Sequence, residues 1–326
     1  MTFLSGSGHI RGGRCSHSMS TKSGSGQVAV LFAGSGWMYP FEFGAAKFVS
    51  EHFDTASSLM RFGGCSAGAA AAAGLALGWD IDLFFENTLQ MYEPCKYVPF
   101  GMCGGVKRVV EGMSASGGGD AAWRERGSGR LAVGVSAVRM TGCSWALEPQ
   151  QVSEFRDAGH AVEIIRASCH LPLIGGVLPY RVAGHAHGFY DGGLTMLVPE
   201  APDMPYAGGG GSFDINITID QTPDNHRSGR GGSGSGRSGR RSRGTYVMPS
   251  LGFKVPDMWC YVPRPPPVLR EIFRLGYLKT AEAICSAETL EAVRHVMRPS
   301  VDPSDVMARV HAELPPLVAN LFSLTK

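Results

Sequence analysis

The chain has 326 residues and a formal net charge of +2, and charged residues make up 18% of it, below the roughly 25% usual for soluble domains. So small a net charge argues against bulk binding of nucleic acid, and we expect no specific nucleic-acid partner. Hydrophobic residues make up 44%, which is enough for a large core in one large domain or two smaller ones.

The cysteines and the apolar segments exclude several further classes of protein. None of the eight cysteines forms a CxxC pair, so zinc-finger spacing is absent, and we expect no metal and no cofactor. The cysteines are expected to be free thiols in a reducing compartment. No run of about 18 apolar residues indicates a membrane-spanning helix. Residues 1–26 are rich in serine and glycine without an acidic residue, which predicts a disordered leader or a transit peptide.

The first half of the remaining chain alternates short apolar runs with segments of helical spacing. Strands are predicted at residues 27–32 and 59–62, and helices at residues 41–52, 69–77 and 80–92. Residues 112–120, which are mostly glycine and serine, are predicted to form a loop.

The second half continues this alternation and ends in helices. Strands are predicted at residues 130–138 and 213–219, and helices in the second half of residues 152–167 and at residues 268–285. Residues 222–245 hold six arginines among serine and glycine, so we expect a disordered insertion that cannot bury enough apolar surface to fold. Residues 286–326 are expected to form a C-terminal helical extension. Strands that alternate with helices predict an α/β fold with a mostly parallel sheet.

The pentapeptide Gly64-Cys65-Ser66-Ala67-Gly68 follows the second predicted strand and precedes an alanine-rich helix. A nucleophile elbow requires this GxSxG context, because a strained strand-to-helix turn presents the serine hydroxyl. The two glycines give the backbone room to turn, and the helix N-terminus favours negative charge beside the serine. We therefore predict that Ser66 is a nucleophile. A chance match in a glycine-rich chain is the competing interpretation.

A second glycine motif, Gly34-Ser35-Gly36, lies between the first predicted strand and the first predicted helix. Small residues there let backbone N–H groups approach a ligand, and a tetrahedral acyl intermediate needs such donors for its oxyanion. The alternatives are a tight turn or a loop for a nucleotide phosphate. Tyr39 stands where GxGxxG has its last glycine, and no Walker motif is present.

A third motif, Asp191-Gly192-Gly193, follows a strand-like segment. A carboxylate on a glycine turn can reach toward a second loop, although Asp-Gly by itself is a common turn. A Ser-Asp-His triad is the alternative use of this acid, and it needs a histidine further along the chain. The candidates are His226, His295 and His311.

These three motifs, in this order, resemble the patatin-like phospholipase family, especially its adiponutrin-type branch. The resemblance runs from about residue 28 to residue 284. It also includes the segments FAGSG at 32–36, GGCSAGA at 63–69, ASCHLPL at 167–173 and YDGG at 190–193. Plant patatins typically have an aspartate and a basic residue where this chain has Ala33 and Met38, and the adiponutrin-type branch tends to lack both.

The resemblance implies a three-layer α/β/α sandwich with one catalytic domain over residues 27–285. It implies a Ser-Asp dyad without a catalytic histidine, in which Ser66 is the nucleophile and Asp191 the base. Gly192 and Gly193 form the turn of this proton acceptor, and the backbone of residues 34–36 becomes the oxyanion hole. The implied activity is a triacylglycerol lipase or phospholipase A that cleaves lipid esters through an acyl-serine.

Two further expectations concern the substrate and its place in the cell. An apolar groove lined by Trp37, Phe41 and residues 83–99 is predicted to hold the acyl chain. We expect a cytoplasmic protein at a lipid-droplet or membrane surface, with the plastid as the alternative. A catalytically silent lipid-droplet or membrane scaffold and an α/β-hydrolase esterase with a full triad are the other functional hypotheses, and a nucleotide-binding Rossmann protein is a more distant one.

Overall fold

The computed structural model describes residues 26–97, 102–127, 129–141, 144–196, 215–219, 245–247 and 257–324, together with Pro249 and Leu251. The leader expected at residues 1–26 and the insertion expected at residues 222–245 therefore lie outside the described residues, except for Gly26 and Thr245. Within these ranges, no helix combines the length and the apolar character that a membrane crossing requires.

The described strands form a single eight-stranded mixed sheet. They are β1 (Val28–Phe32), β2 (Met60–Cys65), β3 (Leu131–Thr141), β4 (Ser144–Val152), β5 (Tyr180–Arg181), β6 (Gly188–Asp191), β7 (Ile215–Ile219) and β8 (Thr245–Val247). Their order is β5-β6-β3-β2-β1-β7-β8, and β4 pairs with β3 outside this path. All pairs from β3 to β8 along this order are parallel. The pairs β3–β4, β3–β6 and β5–β6 are antiparallel. The expected α/β class is confirmed, with a sheet that is parallel at one end and antiparallel at the other.

Helices connect most of the strands, and the C-terminal part of the chain is helical. They are α1 (Tyr39–His52), α2 (Ala67–Leu77), α3 (Ile81–Leu89), α4 (Tyr92–Cys95), α5 (Met102–Ser116), α6 (Gly119–Ala122), α7 (Ala158–Ser168), α8 (Gly193–Met196), α9 (Pro266–Ile284), α10 (Ala287–Val293) and α11 (Pro303–Leu324). Short 3-10 turns lie at Gly36–Met38, Asp257–Cys260 and Arg294–Val296.

The core is densest around β1 and α2. Every residue of β1 is buried, so both faces of this central strand are covered. Helix α2 consists of alanine, glycine and leucine, and all its residues after Ala67 are buried. Its small side chains let the helix lie close to the sheet, and this closeness brings the start of α2 next to the end of β1.

Helices α1 and α9 cross at two glycines. A Cβ atom at Gly44 would overlap the carbonyl oxygen of Phe273, and one at Gly276 would overlap the carbonyl oxygen of Phe41. Phe41 is fully buried in the hydrophobic core. It does not line the cavity beside Ser66 that is described below, so its predicted place in an acyl groove is wrong.

Several element boundaries differ from the sequence prediction. Residues 112–116 continue α5 instead of forming a loop, because Val110 and Met113 pack into the core. Val152 ends β4, a strand that the sequence did not indicate. The next helix begins after Asp157, whose carboxylate accepts a 2.6 Å hydrogen bond from the backbone N–H of His160.

Candidate active site

Ser66 lies on the sharp turn between β2 and α2. Its φ of +54° is in the left-handed region, which costs a residue other than glycine conformational energy. The strand ends one residue before the serine and the helix begins one residue after it. The serine is therefore held at the N-terminus of α2, where the helix dipole favours negative charge.

The glycines of the pentapeptide are required by close backbone contacts. A Cβ atom at Gly64 would overlap the carbonyl oxygen of Gly68. A Cβ atom at Gly68 would overlap the carbonyl oxygen of Ala33 and lie 2.6 Å from that of Phe32. The turn that carries Ser66 therefore packs closely against the end of β1, where the Gly34-Ser35-Gly36 loop begins.

Asp191 is the last residue of β6, and its side chain is directed to the serine. Its Oδ2 accepts a hydrogen bond of 2.7 Å from the Ser66 hydroxyl, and its Oδ1 accepts one of 2.8 Å from the backbone N–H of Gly193. The residue is only 1% exposed. Burial raises the pKa of the Asp191 carboxyl to about 7, and the hydrogen bonds from Ser66 and Gly193 oppose this rise.

Gly192 makes the meeting of these two residues sterically feasible. A Cβ atom at this position would overlap the carbonyl oxygen of Gly134 and would lie 2.7 Å from the Cβ of Cys65. The turn after Asp191 thus packs directly against β3 and against the residue that precedes Ser66. A larger residue at 192 would push the carboxylate away from the hydroxyl.

Two buried serines that the sequence analysis did not single out hold this arrangement together. The Ser168 hydroxyl accepts a 2.8 Å hydrogen bond from the backbone N–H of Ser66 and donates one of 2.6 Å to Gly134 O. The Ser136 hydroxyl donates a 2.7 Å hydrogen bond to Asp191 O. Ser168 lies in the ASCHLPL segment at 167–173, and this segment was the only sequence pattern that could have pointed to it. Ser136 lies in β3 and belongs to no motif.

The Gly34-Ser35-Gly36 loop borders the serine. A Cβ atom at Gly34 would lie 3.3 Å from the Cβ of Ser66, so the main chain of this loop passes close to Ser66. Gly36 has a φ of +55°, and a Cβ there would overlap the carbonyl oxygen of Cys260. Both positions accept only glycine without displacement of a neighbour.

A narrow apolar cavity opens beside Ser66 and has a volume of about 520 Å³, including the part open to solvent. Its walls come from the loop at residue 36, α1, the start of α2, α3 and α5. The residues at the wall include Trp37, Phe43, Phe84, Thr88, Met91, Val106, Val109 and Cys169. Trp37 and the segment after residue 83 therefore lie where the sequence predicted them, whereas the wall from α5 was not foreseen.

Neither His295 nor His311, the two triad candidates that the structure describes, forms a hydrogen bond with Ser66 or Asp191. His295 is exposed and its Nε2 lies 2.7 Å from Gly26 O, and His311 is exposed on α11. His226 lies outside the described residues. His170, the neighbour of the site, lies with its Nε2 2.9 Å from Leu178 O. The backbone carbonyl of His170 accepts a 2.9 Å hydrogen bond from the backbone N–H of Asp191, but among the residues that the structure describes no histidine ring forms a hydrogen bond with the side chain of Ser66 or Asp191. In the same residues, no group of three or more His, Cys, Asp or Glu side chains is arranged to hold a metal ion.

Comparison with known proteins gives a limited result. No protein-family model matches the chain, and no curated protein is similar to it. Among solved structures, the crystal structure of VipD from Legionella pneumophila superimposes on the chain with a TM-score of 0.40 at 12% sequence identity. The match covers 83% of this chain and 67% of the VipD chain.

Proposed function

We propose that the protein is a lipid acyl hydrolase of the patatin-like type, a serine esterase that works with a Ser-Asp dyad. The observation that carries this proposal is the 2.7 Å hydrogen bond from the Ser66 hydroxyl to a buried carboxylate at the mouth of an apolar cavity. A serine hydroxyl is a weak nucleophile unless a base takes its proton, and the Asp191 carboxylate is in the position to do so.

The proposed reaction has two halves. In the first, Asp191 removes the Ser66 proton while the oxygen attacks the ester carbonyl, and the alcohol or lysolipid leaves with that proton. In the second, Asp191 takes a proton from water while the water oxygen attacks the acyl carbon, and Asp191 then returns this proton to the Ser66 oxygen as the bond to the acyl group breaks and the fatty acid leaves. A pKa of about 7 lets the same carboxyl act as base and then as acid near neutral pH. Backbone N–H groups of residues 34–36 are proposed to stabilise the oxyanion.

The substrate class follows from the surfaces at the site. The cavity beside Ser66 has almost entirely apolar walls, which suits an acyl chain. The segment that follows Cys169 exposes Leu173, Val177 and Leu178 to solvent at 67%, 72% and 79%. Exposed aliphatic side chains grouped in one short segment are typical of a surface that meets lipid or another protein. We propose acylglycerol or phospholipid substrates at a lipid-droplet or membrane surface.

The proposed architecture is the three-layer sandwich of the same family. The catalytic domain is proposed to cover residues 27–285, and the C-terminal helices α10 and α11 are proposed to pack onto it. Contacts between α9 and both α10 and α11 support this arrangement.

Hydrolysis of a panel of triacylglycerols and phospholipids tests the proposed function. The comparison uses wild type, Ser66→Ala, Asp191→Asn and the control Ser116→Ala, which changes an exposed serine on α5. We expect fatty acid release by wild type and by the control, and loss of about 10³-fold or more in the first two variants. No release above the Ser66→Ala background with any lipid would favour the catalytically silent scaffold.

A further inference from the structure

One residue in the wall of the apolar cavity beside Ser66 has a buried hydroxyl without a hydrogen-bond partner among the described residues. Tyr39 is the first residue of α1 and is only 4% exposed, and its side chain lies at the cavity wall. Its hydroxyl has no hydrogen-bond partner among the residues that the structure describes. A buried hydroxyl left in this way is costly, so native proteins nearly always provide it with a protein, water or ligand partner.

A second hydroxyl in the same wall donates a hydrogen bond but accepts none from the described part of the chain. The Thr88 side chain, on α3, is 5% exposed and also lines the cavity. Its hydroxyl donates a 2.6 Å hydrogen bond to Phe85 O, so its hydrogen is committed while its oxygen can still accept. Against the larger effect of burial, the Thr88 hydroxyl is near enough to lower the pKa of the Tyr39 hydroxyl. The geometry between the two hydroxyls nevertheless falls outside the limits of a hydrogen bond.

The rings around Tyr39 fix where its hydroxyl is held. The Tyr39 ring packs edge-on against Phe43 at 5.7 Å between centroids and at a tilt against Trp37 at 6.1 Å. Burial raises the pKa of the Tyr39 hydroxyl, so it remains a neutral donor in the physiological range. A fixed donor and an acceptor oxygen therefore stand in a wall that is otherwise apolar.

We propose that Tyr39 and Thr88 form a subsite for a hydroxyl group on the acyl chain, so that the preferred acyl group is a hydroxylated fatty acyl chain. A substrate hydroxyl accepts from the Tyr39 O–H and donates to the Thr88 oxygen, which satisfies all three groups at once. An unsubstituted chain leaves the Tyr39 donor unsatisfied. This inference rests on the proposed function, because it deepens the same site.

The test compares p-nitrophenyl decanoate with its monohydroxylated isomers, which carry the hydroxyl at successive carbons from the middle to the end of the chain. For at least one isomer, we expect wild-type kcat/KM to exceed that for decanoate by about 5- to 10-fold, the worth of one or two neutral hydrogen bonds. In Tyr39→Phe this ratio falls to one or below, and in Thr88→Val it falls in part. The matched control Tyr261→Phe, at a residue that is 56% exposed, keeps the wild-type ratio.

A binding measurement separates this inference from the proposed function. Calorimetric titration of Ser66→Ala with decanoic acid and the hydroxydecanoic acids reads the subsite without turnover. Tighter binding of one hydroxy acid, lost in Ser66→Ala/Tyr39→Phe, supports the subsite even if no ester is hydrolysed. Ser66-dependent hydrolysis in which decanoate is equal to or better than every hydroxy isomer overturns the subsite and leaves the hydrolase intact. A preference that survives in Tyr39→Phe overturns it as well.

Discussion

The hydroxyl of Ser66 donates a 2.7 Å hydrogen bond to the carboxylate of Asp191, although 125 positions of sequence separate the two residues. The serine is held by a turn at the start of α2 and the aspartate by the end of β6, and the two elements meet through Gly192. The carboxylate is buried and its pKa is raised to about 7, so both the activity and the stability of the protein are expected to depend on its protonation.

The pH dependence of ester hydrolysis is the first expectation. In the proposed mechanism, Asp191 accepts the Ser66 proton only when it is ionised, so we expect kcat/KM to rise with pH through an apparent pKa of about 7 and to level off above it. A profile measured with a neutral soluble ester avoids titration of the substrate. If kcat/KM already reached its plateau at a pH just above the ordinary pKa of an aspartate, burial would not raise the pKa of Asp191 as described.

The stability of Asp191→Asn is the second expectation. Because the folded pKa of Asp191 is above its unfolded value, the folded state binds the proton more tightly, and the wild type loses stability as pH rises toward 7. The asparagine variant lacks this penalty and still offers partners to Ser66 and Gly193. From pH about 5.5 to about 8, we expect the stability advantage of the variant to grow by about 2 kcal/mol. Urea unfolding of both proteins at several pH values measures this change, and a constant difference would contradict it.

Substitution of Gly192 is expected to increase the distance between the Ser66 hydroxyl and the Asp191 carboxylate. A Cβ atom there overlaps Gly134 O, so Gly192→Ala displaces the turn that carries Asp191, with a loss of about 100-fold or more in kcat. Gly112→Ala is the matched control, because a Cβ at that helical position meets nothing within 4 Å. The control is expected to retain activity and to gain about 0.5–1 kcal/mol of stability from its better helix former. Equal activity of the two variants would show that the contact at residue 192 is not limiting.

Trp37 is expected to determine chain-length preference. Its ring is 2% exposed and forms part of the cavity wall beside Gly36. Trp37→Ala removes apolar surface from the proposed acyl-chain site, so we expect the ratio of kcat/KM for a dodecanoyl ester to that for a butanoyl ester to fall by about tenfold. Trp145→Ala, at a residue that is 65% exposed, is the control and keeps the wild-type ratio. A fall that is the same for both esters would mean that Trp37 acts on the fold instead.

The parts of the site that the sequence could predict are those with strict local requirements. The turn at Ser66 has a positive φ and needs glycines on both sides, and these demands leave a readable pentapeptide. The turn after Asp191 needs glycine for a similar reason, since Gly192 lies against a neighbouring strand. Steric requirements of this kind are local in sequence, so the residues that meet them stand in recognisable motifs.

The parts that could not be predicted depend on contacts between distant segments. Ser168 and Ser136 act through hydrogen bonds to Ser66 and Asp191 across the sheet, and isolated serines carry no pattern. The glycine- and serine-rich start of residues 112–120 indicated a loop, but core contacts of the α5 side chains Val110 and Met113 hold it as helix. Tertiary packing also places Phe41 in the hydrophobic core instead of the cavity wall, and no local pattern in the sequence distinguishes these two positions.

Labelling by a fluorophosphonate probe, followed by peptide mapping, tests the central claim most directly, because the probe reacts only with an activated serine. The account predicts a stoichiometric adduct on Ser66 in wild type, none at this position in Ser66→Ala, and labelling slowed by about 100-fold or more in Asp191→Asn. An unlabelled wild type, an adduct on another serine, or an unchanged rate in Asp191→Asn would contradict the claim that Asp191 activates Ser66.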